Sequence, residues 1–162
     1  MRFGTRTELG RVWTAKGYRP SGEQRIGYEY GYLSVAINPV TGELLMLILP
    51  DMRVESFQAF LEEFRRFVSG EVCLITDGAA AHRSLHLQVS ESLRVEHLPA
   101  YSPELNPVER FFKEMRKALK NRVFSSYEEV EKAVIEVAKP YLKDKERMKR
   151  LTCYPWLQNT PS

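Results

Sequence analysis

The alternation of apolar and polar residues divides the chain into strand-like and helix-like segments. β-Branched and aromatic residues predict strands over 26–36 and 43–49, and the turn residues of 38–42 predict that these strands form a hairpin. Apolar side chains then recur at helical spacing over 56–69, which predicts an amphipathic helix with one core-facing stripe. Gly70 is a suitable stop for that helix.

The same alternation continues through the middle of the chain. The uninterrupted apolar run 72–76 predicts a buried strand, and the small residues after it predict a turn. We expect a short helix over 82–90 and a further strand over 93–98.

Two helices are predicted in the last third of the chain. The first covers 107–121, with Pro107 in the favoured first turn and Asn106 as its cap. The second follows the capping-box residues 125–128, and Pro140 is expected to interrupt it. A hairpin followed by alternating strands and helices predicts a mixed sheet flanked by helices, which is an α/β fold.

Composition narrows the class of protein. At 162 residues the chain is long enough for one domain with a substantial core, and 43% hydrophobic with 28% charged residues is typical of a soluble globular protein. No apolar run approaches the ~20 residues of a membrane span, and the N-terminus lacks the apolar core of a signal peptide. Two cysteines are too few for a disulfide framework. These features predict a cytoplasmic protein with no membrane partner.

Positive charge is concentrated on the helix predicted over 107–121. The net charge is only +3, which is compatible with a nucleic-acid partner but does not require one. A solvated helix surface and a phosphate-binding face both remain open. The basic residues on or near this helix are Lys113, Arg116, Lys117, Lys120 and Arg122.

Two carboxylates lie at the ends of predicted elements. Asp77 follows the strand 72–76, at the carboxyl end where α/β sheets place ligands, and Glu109 lies in the first turn of a helix. They could share a divalent metal ion; alternatively, Asp77 stabilises a turn and Glu109 favours the helix dipole. Three roles remain open for His82: a metal ligand, a helix cap, or a residue at the edge of the core. Gly-rich phosphate loops, zinc-ligand spacings and nucleophile elbows are absent from the sequence.

Long motifs surround both carboxylates. The segments LITDGAAAHRS and LPAYSPELNPVERFFKEMRKALKNRVF closely resemble the DDE-type transposases of bacterial insertion sequences in the Tc1/mariner superfamily. The opening segment MRFGTRTELGRVWTAKGYRP resembles the corresponding segment of the same family. The resemblance spans nearly the whole chain, and the motif Tyr-Ser-Pro-x-Leu-Asn-Pro-x-Glu at 101–109 is far more specific than a carboxylate pair.

The resemblance implies a single ribonuclease-H-like catalytic domain over residues 1–162. It implies three acids that bind two Mg²⁺ ions, with Mn²⁺ as a substitute, and that catalyse cleavage of a DNA strand and its transfer to target DNA. Asp77 matches the second acid and Glu109 the third, both as metal ligands. Transposon-end and target DNA and a homodimer are the implied partners. The positions that we assign to DNA binding are Arg110, Lys113, Arg116, Lys117 and Lys120.

The chain departs from this family pattern at its start. The family carries an Asp-Glu pair immediately before the Arg-Phe segment, whereas this sequence begins at Met1. We therefore expect the first acid, most of the first, central strand, and the N-terminal helix-turn-helix region to be missing. Cleavage and strand transfer should then be impaired, because two carboxylates replace three.

Two other functions remain open. A catalytically dead transposase remnant would bind only DNA or a partner chain, through its basic helices. A stand-alone ribonuclease-H-like nuclease would act on RNA–DNA hybrids, although the motif at 101–109 favours transposases.

Overall fold

The computed structural model describes residues 1–19 and 21–158. The first strands of the chain form a three-stranded antiparallel sheet. Its strands are β1 (Arg2–Gly4), β2 (Tyr30–Asn38) and β3 (Glu43–Leu49), with β2 in the centre. The predicted hairpin is confirmed. The strand predicted from residue 26 begins at Tyr30, because the residues before it instead bond to the segment that follows β1, as in the 3.1 Å contact from Thr5 N to the Glu29 carbonyl.

The hairpin turn requires a glycine. Gly42 has φ +76°, a conformation that L side chains rarely adopt, and its amide donates to the Asn38 carbonyl at 2.8 Å. A Cβ at Gly42 would lie 2.1 Å from the Lys145 carbonyl oxygen. The turn is therefore fixed both by its own geometry and by the close approach of a later helix.

A second sheet contains the strand that carries Asp77. It consists of β4 (Val72–Thr76) and β5 (Leu93–His97), which correspond to the strands predicted over 72–76 and 93–98 and pair in parallel. Helix α1 (Val54–Phe67) covers one face of both sheets, since its phenylalanines form a cluster with residues of β2, β4 and β5. The members of that cluster are Ala36, Phe57, Phe60, Leu61, Phe64, Leu74, Ala81 and Leu93.

The prediction that β4 is buried on both faces is wrong. Leu74 faces α1, but Cys73 is exposed and Ile75 is 61% exposed. The helices in the second half of the chain pack on the first sheet and leave this face of β4 uncovered by the described residues.

The predicted helix over 82–90 is also wrong. Only Ala80–Arg83 form a 3₁₀ turn, and the residues after it are irregular. Gln58 of α1 explains the difference, because its side chain bonds both the amide of Gln88 at 2.9 Å and its carbonyl at 3.2 Å. A side chain distant in sequence thus satisfies backbone groups that a helix would otherwise pair.

Four helices follow β5 and a 3₁₀ turn at Pro103–Leu105. They are α2 (Val108–Leu119), α3 (Tyr127–Lys143), α4 (Lys145–Thr152) and α5 (Pro155–Gln158). Helices α2, α3 and α4 bury their apolar sides against the first sheet. The larger buried residues of this core are Phe3, Leu33, Leu44, Phe111, Met115, Phe124, Val130, Val134, Tyr141 and Met148.

Helix α3 continues through Pro140, so the predicted interruption is wrong. An internal proline costs about 3 kcal/mol by removing one helical hydrogen bond. Pro140 lies on the exposed side of the helix, while Ala138 and Tyr141 on either side of it are buried. We attribute the unbroken helix to this packing, which offsets the lost bond.

The two sheets are not hydrogen-bonded to each other within the described residues. Strand β1 extends by one more pair, since the Met1 amine donates to the Leu33 carbonyl at 2.6 Å and the Leu33 amide donates to the Met1 carbonyl at 2.7 Å. Beyond that pair, a groove of about 100 Å³ separates β2 from β4. The α/β class with a sheet interrupted at its centre agrees with the sequence-based expectation.

No helix among the described residues is long and apolar enough to cross a membrane.

Candidate metal and nucleic-acid site

Asp77 lies directly after β4, with its side chain 60% exposed. Its Oδ1 atom lies 2.6 Å from Nδ1 of His82 and accepts the Ala79 amide at 3.1 Å. The hydrogen bond from His82 lowers the pKa of Asp77, partial burial opposes that shift, and the bond from Ala79 adds to it. The carboxyl group is therefore ionised at neutral pH.

His82 lies at the edge of the core and fixes the position of Asp77. Its side chain is only 13% exposed, and its ring centroid lies 4.1 Å from that of Phe57 in α1. Of the three roles that the sequence left open, this geometry favours the core-edge residue, which acts on Asp77 through Nδ1.

Glu109 lies in the first turn of α2, as predicted from the motif. Pro107 occupies the cap position with helical backbone angles, while Oδ1 of Asn106 accepts the Val108 amide at 3.1 Å. The side chain of Glu109 is 41% exposed, and its Oε2 lies 3.5 Å from Nη1 of Arg116. The rigid turns before α2 thus hold a carboxylate beside a basic side chain.

Asp77 borders the groove between the sheets, and Glu109 directly follows Val108, which also lines it. Asp77, His82 and Asn106 line this groove together with Met1. Burial, and next the charge of Arg116, lower the pKa of the Met1 amine to about 6, whereas the charges of Glu109 and Asp77 oppose this shift. One buried amine is therefore close enough to interact with both carboxylates.

The carboxylate oxygens of Asp77 and Glu109 provide only part of a binding site for a hard divalent cation. Carboxylate oxygens are the ligands that Mg²⁺ and Mn²⁺ prefer, and Mg²⁺ commonly binds through one or two carboxylates completed by water and substrate phosphates. Asp77 and Glu109 fit that pattern. Among the described residues, however, no group of three or more His, Cys, Asp or Glu side chains is arranged to hold a metal ion.

The five basic residues assigned to DNA binding divide into two groups. Lys113, Lys117 and Lys120 are exposed on α2, and none of them forms an ion pair with a described carboxylate. Arg110 instead lies over the Tyr154 ring at 3.8 Å and bonds the Leu151 carbonyl.

The second arginine, Arg116, is half-buried and paired with Glu109. Sequence reasoning did not predict this contact, although two residues seven positions apart lie on the same side of a helix.

The fold and the carboxylates together define an α/β protein whose acidic side chains lie at the carboxyl end of a parallel strand and at a helix start. The chain belongs to the DDE superfamily of endonucleases, because the family model described as "DDE superfamily endonuclease" matches residues 1–131. The family resemblance of the sequence motifs is thereby confirmed.

The chain is also similar to individual proteins. The chain is 36% identical over 104 residues to "Uncharacterized protein y4pE/y4sA" of Sinorhizobium fredii (strain NBRC 101917 / NGR234), a match that covers 62% of this chain and 77% of the relative. It superposes on the Mos1 strand transfer complex with a TM-score of 0.65 at 19% identity, covering 93% of this chain and 48% of the Mos1 chain. For the Mos1 mariner paired end complex with Mn, the TM-score is 0.64 at 19% identity, with 93% and 51% covered.

These structural matches confirm the ribonuclease-H-like fold. The chain spans about half the length of the Mos1 chains that it matches.

Proposed function

We propose that this chain acts as the catalytic part of a DDE-type transposase, which cuts a DNA strand and joins its 3′ end to target DNA. The observation that carries the proposal is that the charges of Asp77 and Glu109 both act on the Met1 amine, which lines the same groove as Asp77. Membership in the DDE endonuclease family supports it. The substrates are then transposon-end and target DNA, in line with a structural neighbour described as a Mos1 transposase paired-end complex with left transposon end.

Each side chain of the site has a defined task in this proposal. Asp77 stays ionised because His82 donates to it, and Glu109 lies in the first turn of α2, next to Val108 at the groove. Both would hold Mg²⁺ or Mn²⁺, which when bound activates the attacking oxygen and stabilises the leaving one. The exposed lysines of α2 would bind the phosphates on either side of the cleaved bond.

We further propose that this chain cleaves and transfers DNA strands only weakly. Two carboxylates bind cations less tightly than three, and the described residues contain no cluster of three. We expect efficient cleavage and strand transfer only where a third carboxylate joins Asp77 and Glu109. A homodimer as the DNA-bound form completes the proposal.

The test compares neutralised carboxylates with a matched control. Asp77→Asn and Glu109→Gln should each weaken Mn²⁺ binding, measured by calorimetry, and abolish any metal-dependent nicking of supercoiled plasmid. Glu104→Gln removes an exposed carboxylate from the loop before α2 and should change neither property. Unchanged Mn²⁺ binding in both site variants would refute the metal site.

A second candidate, a binding protein without chemistry, is favoured by the incomplete acidic cluster. It predicts that plasmid DNA is bound but never nicked, and that Asp77→Asn leaves the affinity for DNA unchanged. Substitution of the α2 lysines would then be the only change that matters. Size-exclusion chromatography with and without duplex DNA tests the homodimer in either case.

A further inference from the structure

The segment that follows β1 is attached to the C-terminal end of α2. Asn121, just beyond α2, donates its amide to the Glu8 carbonyl at 2.9 Å, and its Oδ1 atom accepts the Gly10 amide at 2.8 Å. The second bond joins residues that are 111 positions apart in the chain. They hold residues 5–11, here called the basic segment, against the helix.

The attachment has features of a specific contact. Asn121 has φ +59°, the left-handed conformation that asparagine tolerates better than most residues. Gly10 packs so closely on α2 that a Cβ added there would lie 2.9 Å from Cδ of Lys120. The left-handed backbone of Asn121 and its two bonds, to Glu8 and Gly10, distinguish this contact from a loop that merely passes the helix.

The attachment brings two further arginines to the basic face of α2. Arg11 borders one groove with Lys117 and Lys120, and Arg6 borders an adjoining groove with Arg116 and Arg122. Glu8 is the carboxylate that also borders the second groove. Arg6 and Arg11 are exposed, and neither forms an ion pair with a described carboxylate.

We infer that Asn121 holds the basic segment in place so that Arg6 and Arg11 extend the basic face of α2 into one track for the phosphate backbone of duplex DNA. This inference rests on the DNA partner of the proposed function. From Lys113 to Lys120 the helix face spans only about 10 Å, or roughly three base pairs at 3.4 Å each. The basic segment lengthens the contact beyond the end of the helix.

The lining of the track favours duplex over single-stranded DNA. Proteins that bind single strands combine positive charge with aromatic rings on which bases stack. The groove between Arg11 and Lys117 is lined by aliphatic, amide and basic residues, and no aromatic residue is among the described residues that line it. Phe3 and Phe124 line the groove of Arg6, but both are buried, so their rings are not available for stacking. Charge without stacking surfaces suits a backbone whose bases are already paired.

The test measures affinity for a fluorescently labelled DNA duplex of arbitrary sequence across a range of salt concentrations. Arg11→Ala should lower affinity by about eightfold at about 0.1 M salt and reduce the salt slope by about 0.9, as expected for one lost phosphate contact. Lys117→Ala should behave alike. Lys139→Ala removes the same charge from the exposed side of α3 and should leave the slope unchanged.

The role of Asn121 is tested through Arg11. Asn121→Gly keeps the left-handed backbone accessible, and its amide can still donate to Glu8, but it removes the side-chain acceptor for Gly10. Gly10 and Arg11 should then move away from Lys117 and Lys120. Affinity should fall at least as far as in Arg11→Ala, and Arg11→Ala should have no further effect in the Asn121→Gly background. If Asn121→Gly does not fold, the double variant Arg6→Ala, Arg11→Ala tests the track, because both side chains are exposed.

The outcomes separate this inference from the proposed function. If Lys117→Ala weakens binding while Arg11→Ala and Asn121→Gly do not, the track is refuted and the DNA partner stands. If Arg11→Ala and Asn121→Gly have additive effects, Asn121 does not act through Arg11. Tighter binding of single-stranded DNA or of an RNA duplex would refute the assignment to duplex DNA. If the unsubstituted chain does not bind DNA at all, the proposed DNA partner itself fails.

Discussion

The buried amine of Met1 should make the stability of this chain depend on pH. Burial is the largest cause of its low pKa, and the nearby Arg116 adds to it, so the pKa falls from the ordinary value of 8.0 to about 6. The amine donates a hydrogen bond to the Leu33 carbonyl, which the neutral form can also do. The folded chain therefore prefers the neutral amine, whereas the unfolded chain protonates it readily.

The sign and size of the effect follow from proton linkage. Between pH 6 and 8 the unfolded state binds more protons than the folded state, so the free energy of unfolding rises with pH across this range. A difference of two pKa units corresponds to about 2–3 kcal/mol. This part of the free energy of unfolding should be fully present above pH 8 and should be lost as the pH falls towards 6.

Urea unfolding curves measured from below pH 6 to above pH 8 would test this effect. The matched control is the same chain acetylated at its N-terminus, which has no titratable amine but keeps every histidine and carboxylate. The difference between the two unfolding free energies should rise with pH by about 2–3 kcal/mol. A difference that stays flat would show that the amine is solvated and does not lie in the groove beside Leu33, which would refute this reasoning.

Three further changes should alter stability, each measured by urea unfolding. Ser126→Ala removes the side chain that accepts the Glu129 amide at the start of α3 and should lower the free energy of unfolding by about 1 kcal/mol, whereas Ser126→Thr keeps the cap. Equal losses of stability in the two variants would contradict this role. Phe111→Ala empties a fully buried site and should cost about 3–5 kcal/mol, and a loss no larger than that of Phe111→Leu would contradict the packing. Gly42→Ala should cost more than about 1 kcal/mol because of its positive φ and the nearby Lys145 carbonyl, and an unchanged midpoint would rule out this turn geometry.

The elements that could be predicted from the sequence are those determined by neighbouring residues. The β2–β3 hairpin follows from alternating apolar residues and a turn with glycine. Helix α1 follows from a stripe of phenylalanines, and the positions of Asp77 and Glu109 follow from the ends of β4 and α2. In each case the deciding information lies within a few positions of the chain.

The features that could not be predicted depend on contacts between distant residues. Gln58 pairs the backbone of Gln88 from thirty positions away and thereby replaces the expected helix. The path of α3 through Pro140 depends on packing that no local pattern reveals. The attachment of Gly10 by Asn121 likewise exists only in the folded chain, so the sequence indicated the basic face of α2 but not its extension.

The edges of β2 and β4 that have the fewest backbone pairs lie beside the acidic site. β2 pairs with β3 along one edge, but on its other edge it pairs only from Tyr30 to Leu33, and among the described residues β4 pairs with β5 alone. Backbone groups left at such edges cost stability unless water or another strand satisfies them. Asp77 ends β4 at this groove, the Met1 residue also lines it, and the charge of Glu109 on α2 acts on the Met1 amine. A substitution that changes the charge of the site therefore also acts on the pairing of Met1 with Leu33. A loss of activity in Asp77 or Glu109 variants can be attributed to chemistry only where the free energy of unfolding is unchanged.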